Sequence, residues 1–257
     1  MEPAEHSTQI SSRSAQTLAR GLRLVEFLTA APEPLRPSEL ARSLGLDRNV
    51  IYRLLLELEA HSYVTKVPGR GGYVIGSGLI ALAAKVMRKV DVRQSARPYM
   101  ESISEATGET VSLHVRHNQS RICVETIPGR HAISRVVQIG QTLPLYAGPS
   151  GKVILAFMEP GEVDAIITQA AAEGLDGKRI RRDLNGIRDR GYIASVGDRT
   201  PGVGGLSVPV FKADGLAAAL TVSGPASRWT QKEMERSAEL VKGVCASISE
   251  SLGYVPS

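Results

Sequence analysis

The 257-residue chain carries 31 Lys/Arg against 26 Asp/Glu, with 42% hydrophobic and 22% charged residues, which excludes a disordered or fibrous chain and leaves room for one large or two ordinary domains. Its net charge of +5 permits nucleic-acid binding without demanding it, and the excess lies in the first 90 residues, with 12 basic against 8 acidic side chains. Two distant cysteines, Cys123 and Cys245, with no CxxC or His cluster, argue against a zinc site or disulfide framework and for a reducing cytoplasm. No run approaches the ~18 apolar residues of a membrane span, and the polar leader MEPAEHSTQISSRSAQ lacks a signal-peptide core and reads as disordered.

The first predicted helix runs from Ala15 to Ala30, with Leu18, Leu22, Val25 and Leu28 at helical spacing and Pro32 and Pro34 as its stop. A short second helix opens with Pro37 and Glu39, both favourable at a helix N-terminus, and puts Leu40, Ala41 and Leu44 on one face. Gly45 supplies the tight turn. A third helix opens at Asp47, a good N-cap, and buries Val50/Ile51, Leu54/Leu55 and Leu58. Its remaining face presents Arg48, Asn49, Tyr52 and Arg53, a set shaped to enter a DNA major groove. The bland alternative is a helical hairpin with a solvated basic face. Two short strands, Tyr63–Lys66 and Gly72–Ile75, joined by PGRG, complete a winged helix-turn-helix with Arg70 at the wing tip. In the helix that follows, Leu79, Leu82, Ala83, Val86 and Val90 form an apolar stripe that needs a partner, either its own domain or, as favoured here, the same helix of a second subunit.

From Asp91 the pattern changes. A helix at 93–107 precedes two alternating segments, Val111–His117 and Arg121–Ile127, around the turn Asn118–Ser120, a hairpin pattern; Ile133–Ile139 offers a third strand. Helices follow at 151–157, 160–172 and 182–190, and strands at 192–196, 206–211 and 216–223. A last helix at 231–252 is announced by Thr230-x-x-Glu233, a capping-box pattern. The expected class is α+β, with helices packed on a largely antiparallel sheet.

Enzyme motifs are mostly absent: no HExxH, no GxSxG and no GxGxxG between strand and helix. The run Gly148-Pro149-Ser150-Gly151-Lys152 resembles a phosphate loop but lacks its first glycine and has Val153 where the Mg²⁺-binding hydroxyl belongs. Small residues opening a helix still leave free N–H groups suited to a carboxylate, or form only a tight structural turn. Thr221 and Ser223 alternate on a late strand and face either a ligand or solvent. His114 reads as a structural histidine.

Four blocks, in this order and spacing, carry a family resemblance: SELARSLGLDRNVIYRLLLELEAHSYV, QTLPLYAGPSGKVILAF, GVGGLSVPVF after RGYIASVGDRTP, and LTVSGPASRWT. From about Ser14 to Gly253 the chain resembles the IclR-type (isocitrate lyase regulator) transcription factors. The resemblance implies a winged helix-turn-helix domain at 14–76, a linker helix at 77–92 and a GAF-like effector domain at 93–257. It implies a regulator of double-stranded operator DNA assembled as a homodimer or a dimer of dimers; composition and the missing motifs add the expectation of a cytoplasmic, non-enzymatic protein without cofactor, metal or membrane contact. By position, Arg48, Asn49, Val50, Tyr52 and Arg53 match the DNA-contacting helix, and Ser38 and Arg70 join them as DNA-binding candidates. Arg48 and Asn49 are expected on base edges, Arg53 and Arg70 on phosphates. The effector pocket falls on Arg135, Leu145, Pro149, Ser150, Ser195, Val203, Gly205, Thr221 and Ser223. Gly205 stands where members often carry a cysteine, which leaves room in the pocket, and Arg135 favours an anionic ligand. The expected function is repression relieved by a small carboxylate or aromatic acid, with activation of a catabolic operon as the alternative.

Overall fold

The computed structural model describes residues 5–69, 71–87 and 91–255, with the side chains of 5–14, 86, 87 and 91 excepted. The chain divides into two compact units, residues 1–89 and 90–257.

In the N-terminal unit, α1 (Glu5–Ala30) starts inside the leader that composition marks as disordered. No Pro or Gly interrupts residues 5–20, and once nucleated a helix gains one bond for each residue it fixes. Leu24 and Leu28 of α1 are buried, whereas Leu18 and Leu22 of the expected stripe are 65% and 56% exposed. The turn after α2 (Pro37–Leu44) is made by Gly45 at φ 64°, whose N–H donates to the Ala41 carbonyl. Arg36 has no acceptor to cap this helix, so Glu39 Oε2 reaches back and accepts from the Arg36 N–H at 2.7 Å. Asp47 opens α3 (Arg48–Ala60) by accepting from the Asn49 N–H at 2.7 Å. Ile51, Leu54 and Leu55 of α3 join Leu24, Leu28, Leu40, Ala41, Val64 and Tyr73 in one core, where each buried leucine contributes about 1.5–3 kcal/mol. The wing pairs β1 (Val64–Lys66) with β2 (Tyr73–Ile75), and Leu35 bridges to Tyr73 as a short third edge. Then comes α4 (Ser77–Met87), with Leu82 46% exposed. Val90, the last residue of its expected stripe, lies outside the described residues.

The C-terminal unit is built on a six-stranded antiparallel sheet in the order β5-β4-β3-β8-β7-β6. The strands are β3 (Thr110–His117), β4 (Ser120–Ile127), β5 (Thr142–Pro144), β6 (Ile193–Val196), β7 (Val203–Lys212) and β8 (Gly215–Pro225). Against one face lie α5 (Asp91–Thr107) and α9 (Gln231–Ser251); against the other lies α6 (Pro149–Ala156), backed by α7 (Pro160–Ala172) and α8 (Gly177–Arg190). Two adjacent glycines of β7 mark the two faces: a Cβ on Gly204 would meet Trp229 and Met234, and one on Gly205 would meet Pro149. The sheet is therefore covered on both sides. Thr230 caps α9 by accepting from the Glu233 N–H at 3.3 Å.

The third strand expected at Ile133–Ile139 does not form; the segment is irregular and β5 forms later, at Thr142–Pro144. Ile133 and Val136 are 74% and 70% exposed, so their alternation has no face to bury. α8 starts at Gly177 rather than Arg182 because Asp176 caps it, accepting from the Lys178 and Arg179 N–H groups at 2.9 and 3.1 Å.

Candidate functional site

The first candidate surface is the outer face of α3. Arg48, Asn49, Tyr52, Arg53 and Leu56 are all exposed and recur at one, four, five and eight residues from the first, which lines them up along one side of the helix. Val50, matched by position to the DNA-contacting helix but also part of the apolar repeat, is half-buried and packs on the core with Leu44, Leu46 and Leu58. Its position one residue before buried Ile51 turns it inward. Ser38 is exposed on the first turn of α2. Arg70 lies outside the described residues.

The second candidate is a cavity between the sheet and the N-terminus of α6. Strand register creates it. Ser195 of β6 faces Gly205 of β7, Gly205 faces Ser223 of β8, and Ser223 faces Thr110 of β3, so four segments distant in sequence form one row of small residues. The adjacent row is Ser207, Thr221 and Ser112, with Ser207 Oγ and Thr221 Oγ1 hydrogen-bonded at 2.9 Å. Above the rows, Gly148 takes φ 81°, ψ 161° to launch α6, with Pro149 at its first turn. The space between them is about 60 Å³ and opens to the surface.

Arg135, Pro149, Ser150 and Ser195 line this cavity, as do Val203, Gly205, Thr221 and Ser223. Leu145, expected with them, does not: it is fully buried in the apolar cluster of Val153, Ile166 and Leu184, where an apolar side chain is more stable than against a polar wall. The space expected over Gly205 is also largely filled, since a Cβ there would stand 3.0 Å from Pro149 Cγ.

The cavity wall also contains residues that the sequence did not single out as a site: Ser112, Arg121, Asp198 and Arg199, together with His114, which read as structural. Arg121 is 2% exposed. Its Nη1 donates to the Pro144 carbonyl, its Nε has no partner, and among the described residues no carboxylate forms an ion pair with it. Gly151 of the α6 turn admits it: a Cβ there would collide with Nη1 and with the Leu145 carbonyl, while one on Gly148 would stand 3.3 Å from Arg121 Nη2. Burial, then the charge of Arg199, push the Arg121 guanidinium down to about 9, partly offset by Asp198. Lost hydration, then Arg135, also hold Arg199 below its ordinary value.

His114 Nε2 contacts Ser112 Oγ at 3.0 Å while Nδ1 has no partner. Burial, then Arg121 and Arg199, push its imidazole down to about 3. The ring is neutral at physiological pH and too weak a base to activate Ser112, and no acid orients it, so the pair lacks the makings of a nucleophile–base dyad. On the far side of the α6 turn, buried Lys152 donates to Asp183 Oδ2 at 2.8 Å and to Asp198 Oδ1 at 2.6 Å, leaving Asp198 Oδ2 unpartnered. With Ser195 Oγ and Ser223 Oγ, five buried polar atoms of the cavity wall stand without partners. Each such atom costs about 1–3 kcal/mol if left dry. Their convergence marks a place for a polar ligand or ordered water.

Comparison with known proteins identifies the domains that carry the two surfaces. Residues 17–68 match the IclR helix-turn-helix domain, and residues 84–250 match the bacterial transcriptional regulator IclR C-terminal domain. The chain is 26% identical over 251 residues to the HTH-type transcriptional repressor AllR of Escherichia coli K12, covering 95% of this chain and 93% of that one. Among solved structures, Thermotoga maritima IclR superposes with a TM-score of 0.74 at 26% identity, covering 93% of this chain and all of its own. An IclR homolog from Microbacterium hydrocarbonoxydans, complexed with 4-hydroxybenzoate, shares the fold with a TM-score of 0.79 at 21% identity, over 92% of this chain and 99% of that one. Among the described residues, no helix is long and apolar enough to cross a membrane.

Proposed function

This chain belongs to the IclR family of DNA-binding transcriptional regulators, and on that premise we infer that it is a repressor whose hold on its operator is released by a small organic acid bound in the cavity of the C-terminal unit. The observation that carries this reading is the convergence of five unpartnered buried polar atoms around one space of about 60 Å³. A ligand that supplies hydrogen-bond partners to these atoms offsets the cost of their burial. Guanidinium groups and the positive end of α6 on the same wall favour an anion. AllR is named a repressor, and the Microbacterium homolog holds an aromatic acid; both support the assignment.

On the DNA side, Arg48 and Asn49 are assigned to base edges, and Tyr52 and Arg53 to the flanking backbone, with Ser38 on α2 donating to phosphate. The apolar groove formed by Leu18, Leu22, Val25, Leu58, Leu79 and Leu82 supports a homodimer. Two copies would place two α3 helices in successive major grooves of a pseudopalindrome in the cytoplasm. Release by effector requires that the acid bind the DNA-free arrangement more tightly than the DNA-bound one.

A thermal-shift screen with small aliphatic and aromatic acids, followed by operator binding with and without each hit, tests the reading. An acid that raises the melting temperature and weakens operator binding is expected. A hit that tightens operator binding would contradict release by the acid, and the absence of any hit would remove the effector assignment.

A further inference from the structure

The charges around the cavity do not balance. Arg121, Arg135 and Arg199 all line it, and none has an ion-pair partner among the described residues, whereas Asp198 shares Lys152 with Asp183. Lys152 neutralises one of those two carboxylates, so three guanidinium charges face one residual negative charge and an excess of two positive charges remains. The cations are also graded in depth. Arg121 is 2% exposed and lies against the first turn of α6, beneath Gly148 and Gly151; Arg135 is half-buried, and Arg199 is exposed at the opening. A buried guanidinium that meets the positive end of a helix instead of a carboxylate is destabilising unless an anion completes the site. One carboxylate satisfies Arg121 and the α6 N–H groups but leaves the outer pair of arginines repelling each other.

We propose that the effector is a dianion with two separated anionic groups, a short dicarboxylate. Its inner carboxylate sits on Arg121 and the N-terminus of α6, and its outer carboxylate sits between Arg135 and Arg199. The assignment rests on the effector reading above and adds to it both the charge of the ligand and Arg121 as the residue that selects it. Ser195 and Ser223, each with an unpartnered hydroxyl, also line the cavity and can donate to either carboxylate.

The test is calorimetric titration of the full-length protein with the dicarboxylates from malonate to adipate, each beside its own monoamide, and with inorganic phosphate and 4-hydroxybenzoate. At least one dicarboxylate is expected to bind tenfold or more tighter than its monoamide. Arg121→Met should abolish that difference while the ligand-free melting temperature holds or rises, because an unpaired buried charge is removed. Should that variant fail to fold, Arg199→Gln at the exposed opening should still reduce dicarboxylate affinity more than monoamide affinity. Equal affinity for diacid and monoamide at every length, retention of the diacid preference in both variants, or tight binding of phosphate alone would each overturn the proposal. If 4-hydroxybenzoate binds and no dicarboxylate does, the dianion is wrong and the effector reading stands. If no acid binds, both fall.

Discussion

Lys152 Nζ donates to Asp198 Oδ1 at 2.6 Å, fastening the buried helix α6 to the loop that follows β6 at the edge of the cavity. The same ammonium holds Asp183 of α8 at 2.8 Å, so one side chain joins three parts of the C-terminal unit. Asp198 and Lys152 are 9% and 4% exposed. Removing the cation from such a site leaves two carboxylates without their counter-charge. Lys152→Met is expected to destabilise the C-terminal unit by about 3–5 kcal/mol, read as a shift in its denaturant midpoint. The triple change with Asp183→Asn and Asp198→Asn should recover most of that loss.

The glycines of the α6 turn are expected to be irreplaceable for different reasons. Gly148 occupies φ 81°, ψ 161°, a region that side chains other than glycine's enter at a cost of about 1–3 kcal/mol. Gly151 has ordinary helical geometry, but a methyl group there collides with Arg121 and with a carbonyl. Gly148→Ala should lower stability by that order. Gly151→Ala should do the same and also displace Arg121, so that acid binding is lost even where the protein remains folded.

His114 makes stability depend on pH with a defined sign. Its native imidazole protonates near pH 3, against 6.5 for the ordinary group. Between those values the unfolded chain binds the proton and the native chain does not, so stability falls as pH is lowered from 6.5 and levels off near 3. At pH 5 the loss from this group alone is about 2 kcal/mol at 1.36 kcal/mol per unit. His114→Gln should remove that part of the slope, seen as a wild-type-minus-variant difference in unfolding free energy between pH 7 and pH 5. A constant difference across that range would contradict the assignment.

On α3, Arg48→Ala and Asn49→Ala are each expected to cost about 1–3 kcal/mol of operator binding and to relax preference at one base pair. Arg53→Ala should weaken all sequences alike and reduce the salt slope by about 1. Val50→Ala should act mainly on stability, because Val50 is packed on the core. Binding to operator and to random DNA at several salt concentrations separates these outcomes.

The N-terminal unit was nearly complete in the sequence because its signals are local. Gly45, Asp47 and the apolar repeats of α2 and α3 each act within a few residues, and each appears where expected. The cavity was only half legible, and Arg121 shows why. In RICVETI it alternates with Ile122 and Val124, the pattern of a strand with one solvated face. Both faces of this sheet are covered, so Ser112, His114 and Arg121 turn into a cavity rather than into water, and alternation alone does not distinguish the two. Ser112 and His114 were hidden in the same way. Leu145 failed for the opposite reason: placement by position said nothing about which way its side chain turns. Ile133–Ile139 alternated convincingly but found no strand to pair with, because pairing is decided by distant segments.

The two middle strands of the large sheet, β3 and β8, come from opposite ends of the C-terminal unit, and Ser112 reaches the Thr221 carbonyl across 109 residues of chain. During synthesis, Ser112, His114 and Arg121 leave the ribosome long before Thr221 and Ser223 exist to face them. A chain interrupted between Met87 and Gly215 can carry every residue of the winged helix yet have no chamber for an acid. Such a fragment, were it to persist, would hold DNA without being able to hear the signal that releases it, so late assembly of the sheet makes responsiveness the last property the polypeptide acquires.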